Sequence, residues 1–340
     1  MVGNNEKKLL ITGGAGFIGS ALIRQLMSRT NFRVLNLDKL TYAANPKALV
    51  EVETNPNYQF KAVDICDQQA LINAFNDFKP DAVIHLAAES HVDRSIECAD
   101  EFIQTNIQGC YLLLQTSLDY WRQLNERQKS DFRFLYVSTD EVFGDIDENA
   151  KACDEQAAYA PSSPYSASKA AADHLVKAWH KTYKLPILIT HCSNNYGPFQ
   201  DCEKLIPKLI SLGLEGKPLP LYGQGDQIRD WIYVEDHVSG LIKVLEYGQV
   251  GESYNIGGDC QITNLEVAKS VCRLLNTMVQ KPHEYAGRFE QLVTFVADRP
   301  GHDKRYAINT NKIELNLQWQ RKQDFQSGLE KTVKWYMEHL

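Results

Sequence analysis

Long apolar runs are missing from this sequence. No window of the 340 residues approaches ~20 uninterrupted apolar residues, so no membrane-spanning helix is expected. Clusters of positive charge are missing too. No Lys/Arg run reaches five residues, and the net charge of −7 argues against a nucleic-acid-binding protein. That balance still leaves room for a local basic pocket around an anionic ligand. The eight cysteines include no CxxC pair and no compact metal-ligand spacing. Several sit in apolar segments, such as Cys272 in AKSVCRLL, so buried free thiols in a reducing compartment are expected rather than a disulfide framework. His85, His91, His174 and His191 fit neither HxxxH nor HExxH, and are expected to be structural; no metal site is expected. There is no internal repeat and no low-complexity tract. MVGNNEKK runs straight into a strand-like LLIT, which predicts no signal peptide and a cytoplasmic protein.

What remains is an ordinary globular composition, 44% hydrophobic and 23% charged. In the first half, short apolar runs alternate with amphipathic stretches. Strands are expected at 9–12, 32–38, 59–64, 82–87, 132–138 and 187–192. Helices are expected at 17–29, 46–53, 67–78, 95–122 and 164–183. Near-continuous apolar strands separated by helices imply a parallel sheet covered on both faces, an α/β Rossmann-type doubly wound fold. After about residue 197 the rhythm changes, with Gly and Pro recurring through EGKPLPLYGQG (215–225). DWIYVEDHVSGLIKVL (230–245) reads as a return to the main sheet followed by a helix. The expected organisation is therefore interleaved. Residues 1–197 plus 228–260 form a dinucleotide-binding domain, and 198–227 plus 261–340 form a smaller substrate-binding domain.

Gly13, Gly14, Gly16 and Gly19 follow the first strand and open the first helix, satisfying both GxGxxG and GxxGxxG. Such glycines let a backbone turn approach a pyrophosphate, which the helix N-terminus then binds. The bland alternative is a tight turn alone. Asp38 ends the second strand ~20 residues past the glycines, where a carboxylate accepts from both adenosine ribose hydroxyls and repels a 2′-phosphate. NAD is therefore favoured over NADP, although Lys39 follows directly. Asp64 and Ile65 end the third strand, at the expected adenine edge.

Tyr165 and Lys169, in SPYSASKAAADH, are four apart on an expected helix and share one face. A Lys ammonium lowers a neighbouring phenol's pKa, and such a Tyr can take a hydroxyl proton. A surface Tyr and Lys one turn apart is the alternative. With the glycine turn and Thr139 at a strand end, the set resembles the extended short-chain dehydrogenase/reductase family. Within it, the adjacent acids of VSTDEVFG (137–144) match a narrower branch. HLAAESHVDRSI (85–96), YAPSSPYSASKA (159–170), SNNYGP (193–198), EKLIP (203–207), GDQIRDWIYVEDH (225–237), YNIGG (254–258) and DRPGHDKRYAI (298–308) resemble that branch too, the dTDP-glucose 4,6-dehydratases. The likeness runs from about residue 7 to the C-terminus.

That resemblance implies a nucleotide-sugar substrate, dTDP-glucose, and a reaction without net redox change. C4 is oxidised against NAD, water leaves across C5 and C6, and C6 is reduced, giving dTDP-4-keto-6-deoxyglucose. Tyr165, supported by Lys169, takes the 4-hydroxyl proton while Thr139 orients the sugar. Glu141 removes the C5 proton, and Asp140 protonates the departing C6 hydroxyl. Adjacent carboxyls in unlike environments can hold opposite protonation states. Neighbours in an extended chain point opposite ways, so both face one sugar only if the backbone turns, as Gly144 allows. The implied cofactor set is Gly13, Gly16, Phe17, Ile18, Gly19, Asp38, Lys39, Leu40, Thr41, Asp64, Ile65, Leu86, Ala87, Ala88, Ser90, Thr105, Tyr165, Lys169 and Asn195. The implied substrate set is Ser90, Thr139, Asn194, Lys204, Leu205, Pro220, Leu221, Tyr222, Arg229, Asn264, Arg299 and His302. Arg299 and His302, with Arg229, grip the diphosphate, and Tyr222 is placed to stack on thymine. The bland alternatives are ion pairs of Arg299 with Asp298 or Asp303, and of Arg229 with Asp226 or Asp230. A homodimer through the helices near 95–122 and 164–183 is also implied.

Four departures stand out: Ala44 in AAN where the family shows AGN, Phe143 for a frequent Tyr, FQDCEK (199–204), and a segment 145–160 shorter than in many relatives. Three alternatives stay open. One is a UDP- or CDP-glucose dehydratase. Another is a nucleotide-sugar 4-epimerase, which needs neither acid. The third is a non-catalytic NAD-binding regulator.

Overall fold

A computed structural model describes residues 7–29, 32–280 and 284–340. Among the described residues the chain forms β1 (Lys7–Thr12), β2 (Phe32–Asp38), β3 (Tyr58–Ala62), β4 (Ala82–His85), β5 (Arg133–Thr139), β6 (Ile187–Cys192), β7 (Asn194–Tyr196), β8 (Leu219–Tyr222), β9 (Ile228–Tyr233), β10 (Ser253–Ile256), β11 (Gln261–Thr263) and β12 (Val293–Val296). Seven of them make one sheet in the order β10-β6-β5-β4-β1-β2-β3, every pair parallel. The order reverses between β1 and β4, which opens the crevice used by doubly wound folds.

The near-continuous apolar strands serve two cores at once. Leu9, Ile11, Ile84, Leu135 and Val137 point to one face, while Leu10, Val83, Phe134 and Tyr136 point to the other. The helix Phe17–Met27 covers the first face. Gln68–Phe78, Cys110–Gln123 and Pro164–Tyr183 cover the second. Alternation of this kind buries both faces without any polar stripe.

Two expectations change. The strand beginning near 230 does not return to the main sheet. β9 pairs in parallel with β7 and antiparallel with β11, forming a separate three-stranded sheet. The main sheet instead gains β10 beside β6. The physical reason lies in side-chain direction. Trp231 and Tyr233 of β9 enter a third core with Tyr196, whereas the following helix, Val234–Tyr247, places Leu241, Ile242, Val244 and Leu245 in the first. So the helix, not the strand before it, rejoins the sheet. The third core is closed by helices Leu205–Leu214, Asn264–Met278 and Phe325–His339.

The long helix expected at 95–122 is broken. Val92–Glu97 stops at Cys98, which is extended (φ −146°), and the chain restarts at Asp100. From Ile103 to Gly109 it widens into a π-helical segment before Cys110–Gln123. Such segments are frequent at functional sites because they re-aim side chains. Among the described residues no helix is long and apolar enough to cross a membrane. All eight cysteines are unpaired.

Candidate active site

The C-terminal ends of the strands on either side of the reversal form one cleft. Its floor begins with the glycine turn. Gly13 has φ +74°, and a Cβ there would stand 2.5 Å from the backbone N of Ala87. Only glycine lets the turn and the loop after β4 approach so closely. A Cβ on Gly19 would strike the Gly13 carbonyl and the Gly14 backbone, so helix and turn are also packed without room for a side chain. The result is an open cradle at a helix N-terminus, which suits a pyrophosphate.

Asp38 ends β2 at the edge of this cradle. Its Oδ2 accepts from Ala15 N at 2.9 Å and its Oδ1 from Leu40 N at 2.8 Å. Those bonds fix both oxygens toward the cleft and leave lone pairs free, as ribose recognition requires. Lys39 lies 3.6 Å from Asp64, so its charge is partly answered by the next strand end. The residues present fit NAD.

On the other side, β5 ends at Thr139 and the chain folds at once into a 3-10 turn, Asp140–Phe143. Thr139 is extended and caps the turn, its Oγ1 accepting from Glu141 N at 3.3 Å. Gly144 follows with φ +75°, and a side chain there would run into the Ala160 carbonyl. This turn answers the geometric requirement on the acid pair: Asp140 and Glu141 both line the cleft. Phe143 does not. It is buried behind the turn against Tyr159 (5.4 Å between ring centroids) and His191 (5.1 Å).

The acids differ. Burial, then the nearby Glu141 and Asp230, holds the Asp140 carboxyl well above the ordinary range. Its Oδ2 has no hydrogen-bond partner among the described residues. Burial also raises Glu141, but Arg229, Arg299 and Lys204 pull it back. A protonated Asp140 beside an ionised Glu141 is the division such surroundings favour.

Tyr165 and Lys169 project from Pro164–Tyr183, whose start is fixed by Ser163 in a capping box with Ser166 and by Pro164 in its first turn. Lys169 Nζ donates to the Val137 carbonyl at 2.8 Å and stands 4.2 Å from the Tyr136 ring centroid. Burial lowers Lys169 to about 8. The expected lowering of Tyr165 by this lysine is not found. Burial, then Glu141, pushes the phenol well up, with the Thr139 hydroxyl acting the other way. Desolvation of a phenolate outweighs the stabilising contacts the protein itself supplies. The positive ring of oxidised NAD, when bound, would act in the opposite direction.

Most of the expected cofactor residues line this one cleft, namely Gly13, Gly16, Phe17, Ile18, Gly19, Asp38, Lys39, Thr41, Ile65, Leu86, Ala87, Ala88, Ser90, Thr105, Tyr165, Lys169 and Asn195. Leu40 and Asp64 are not among the residues that line it. Of the expected substrate residues, Ser90, Thr139, Asn194 and Lys204 line it, and Lys204 Nζ donates to the Ser90 carbonyl at 3.0 Å. Leu205, Pro220, Leu221, Tyr222, Arg229, Asn264, Arg299 and His302 do not. Leu221 is 1% exposed and belongs to the third core.

Neither arginine makes the ion pair weighed from sequence. Arg229 lies 4.2 Å over the Tyr306 ring and donates to the carbonyls of Ile228, Asp303 and Lys304. Asp226 pairs with Lys304 instead, and Asp230 accepts from Gly258 N and Cys260 N. Arg299 pairs with Asp93 at 3.4 Å, and Tyr222 donates to the same carboxylate at 3.2 Å. His302 sits 2.6 Å from Asp298.

Several cleft residues were not singled out as site residues in the sequence, although most lie in stretches that drew attention there: Glu89, Ser138, Cys192, Ser193, Gln200 and Asp201. Asn106, on the π segment, ties the cleft together. Its Oδ1 accepts from Glu89 N at 2.9 Å, and its Nδ2 donates to the Glu89 carbonyl at 3.0 Å and Ser168 Oγ at 2.8 Å. No periodicity announces a π segment, so this residue was not legible. Among the described residues no group of three His, Cys, Asp or Glu side chains gathers as metal ligands.

A family model described as GDP-mannose 4,6 dehydratase matches residues 10–332. A dTDP-glucose 4,6-dehydratase of Haemophilus influenzae is 56% identical, over 97% of this chain and 97% of that protein. One from Neisseria gonorrhoeae is 54% identical over 98% and 96%. Among solved structures, a dTDP-glucose 4,6-dehydratase of Streptomyces venezuelae with NAD and dTDP bound is similar at a TM-score of 0.88. It is 42% identical, over 97% of each chain.

Proposed function

The chain belongs to the GDP-mannose 4,6 dehydratase family, and on that premise we propose that it converts dTDP-glucose to dTDP-4-keto-6-deoxyglucose with NAD as bound cofactor. The observation that carries this reading is the turn at 140–143, which brings two carboxyls of unlike environment to the cleft that holds Thr139, Tyr165 and Lys169. A simple 4-epimerase has no use for either acid.

NAD, when bound, supplies the oxidant at C4 and the reductant at C6. The chain's own residues manage the protons. Tyr165 takes the proton of the 4-hydroxyl, and Lys169 stabilises the charge that this requires. Thr139, anchored in the turn, orients that hydroxyl. The 4-keto group acidifies the C5 proton, which Glu141 removes. Asp140, held protonated by burial, donates to the C6 hydroxyl so that it leaves as water, and C5 regains a proton as C6 is reduced. Lys204, Arg229 and Arg299 surround Glu141 with positive charge, which favours its ionised form and suits a diphosphate substrate. Tyr222, Asn194, Asn264 and His302 belong to the nucleotide-sugar side.

The division of labour assigned here gives 1–197 plus 228–260 to the cofactor and 198–227 plus 261–340 to the nucleotide sugar, with β9 built into the smaller sheet. A homodimer is supported by apolar side chains left exposed on the paired helices, Ile103, Tyr111 and Tyr183. Light scattering at micromolar concentration tests it, and a monomer refutes it. Eight unpaired thiols suit a reducing cytoplasm.

Incubation with dTDP-glucose, followed by mass analysis, tests the activity. Loss of one water without accumulation of NADH is expected, and an unchanged mass overturns the reading. UDP- and CDP-glucose run in parallel report the base preference.

A further inference from the structure

Beneath the cleft, on the same helix as Tyr165 and Lys169 and one turn beyond the lysine, lies a carboxylate that the chemistry above does not use. Asp173 is 0% exposed. Its Oδ2 accepts from Ser138 Oγ at 3.1 Å and lies 3.1 Å from His191 Nε2. The Tyr159 hydroxyl reaches the same cluster, 2.9 Å from His191 Nε2, and accepts from Lys177 Nζ at 3.0 Å. Asp173 Oδ1 has no hydrogen-bond partner among the described residues, and no Lys or Arg described there forms an ion pair with it. Burying an acid this deeply without a contact cation costs stability, so neutral packing alone does not account for it.

The groups facing Lys169 come from every layer around it: His85 on β4, Cys110 on the helix Cys110–Gln123, Tyr136 on β5, Cys192 on β6, and Tyr165 and Asp173 on its own helix, with His191 behind Asp173. Asp140 and Glu141 act on Tyr165 across the cleft. Burial drives His85 down to about 3 and Cys110 and Cys192 up to about 12, and raises Tyr136 well above the ordinary phenol range. His85, Cys110, Cys192 and Tyr136 are therefore uncharged at neutral pH. Asp173 exerts the largest attraction on Lys169, opposing its desolvation.

We propose that Asp173 is a positioning residue for the reaction assigned above: its buried carboxylate is the counter-charge of Lys169, and its bond to Ser138 anchors the strand end that carries Thr139. The proposal rests on that functional reading. One carboxylate thereby couples the proton-taking pair to the turn bearing the two acids.

Asp173→Asn keeps the shape and removes the charge. Without the anion, Lys169 loses its proton at lower pH, so the alkaline limb of kcat/KM moves down by about one unit or more. Activity well below that limb changes less. The titration of Lys169 itself, followed by NMR of isotope-labelled lysine side chains and assigned with Lys169→Arg, shifts by the same amount. A limb and a resonance that superimpose on the wild type, or a loss that is equal at every pH, overturn the proposal. His191→Gln keeps both the carboxylate and a donor to it, and leaves the limb in place. A limb displaced by His191→Gln assigns it to the imidazole and overturns the proposal even where Asp173→Asn does not fold. Absence of turnover in the wild type is instead a failure of the functional reading, and the lysine titration then still decides the role of Asp173.

Discussion

Asp140 and Glu141 are neighbours in the chain, yet their surroundings differ: burial and the nearby Glu141 and Asp230 push Asp140 well up and leave one of its oxygens unpartnered, whereas Arg229, Arg299 and Lys204 pull back the rise that burial gives Glu141. A single 3-10 turn creates this difference between adjacent residues.

The first prediction separates the steps. Glu141→Gln leaves Tyr165 and Lys169 intact but removes the proposed C5 base. NADH is expected to accumulate on the enzyme with dTDP-glucose, while product formation falls about 10²–10⁴-fold. Absorbance in a stopped-flow mixer shows it; normal turnover disproves the role. Asp140→Asn is expected to slow water loss by a similar factor, since the amide cannot donate the required proton as an acid does.

Asp140 also links activity to stability. Its folded pKa lies above its unfolded one. Between the two values the native state holds a proton that the unfolded chain has released, so stability falls as pH rises through that window. Asp140→Asn removes the loss. Its Tm is expected to exceed the wild type's at about pH 7, with the gain vanishing below the ordinary carboxylate pKa of about 4. Calorimetry over pH checks this, and an equal or lower Tm at neutral pH counts against it.

Tyr165→Phe removes the group proposed to take the 4-hydroxyl proton and leaves the glycine turn of the cofactor cradle untouched. Turnover and NADH formation are both expected to fall about 10²–10⁴-fold with little change in NAD affinity. A variant that still reduces NAD at the wild-type rate places the base elsewhere.

Gly13→Ala puts a methyl group into the loop after β4 and imposes φ +74° on a residue with a Cβ. NAD binding, measured by calorimetry, is expected to be lost or weakened more than tenfold. An unchanged affinity would show that the cradle is not where the pyrophosphate lies.

Arg299→Ala tests the diphosphate clamp. Loss of a charge-assisted contact worth about 1.5–3 kcal/mol raises KM by roughly ten- to a hundredfold. The acid pair and Tyr165 keep their places, so kcat is expected to fall less than kcat/KM.

Local chemistry made part of this protein legible in advance. The six strands of the first half, the glycine turn after β1 and the Tyr165–Lys169 spacing depend on neighbours in the chain, where side-chain periodicity and backbone freedom act directly. What needed the tertiary structure was set by residues far apart. β9 left the main sheet because Trp231 and Tyr233 found a core built around Tyr196. The π segment that aims Asn106 between Glu89 and Ser168 has no signature in periodicity. Phe143 proved to back the acid turn rather than enter the cleft, because Tyr159 and His191 hold it there. The sequence by itself determined that two acids follow Thr139. Only the fold decided which of them keeps its proton, because burial and the distant charges of Asp230, Arg229, Arg299 and Lys204 converge there and nowhere along the chain.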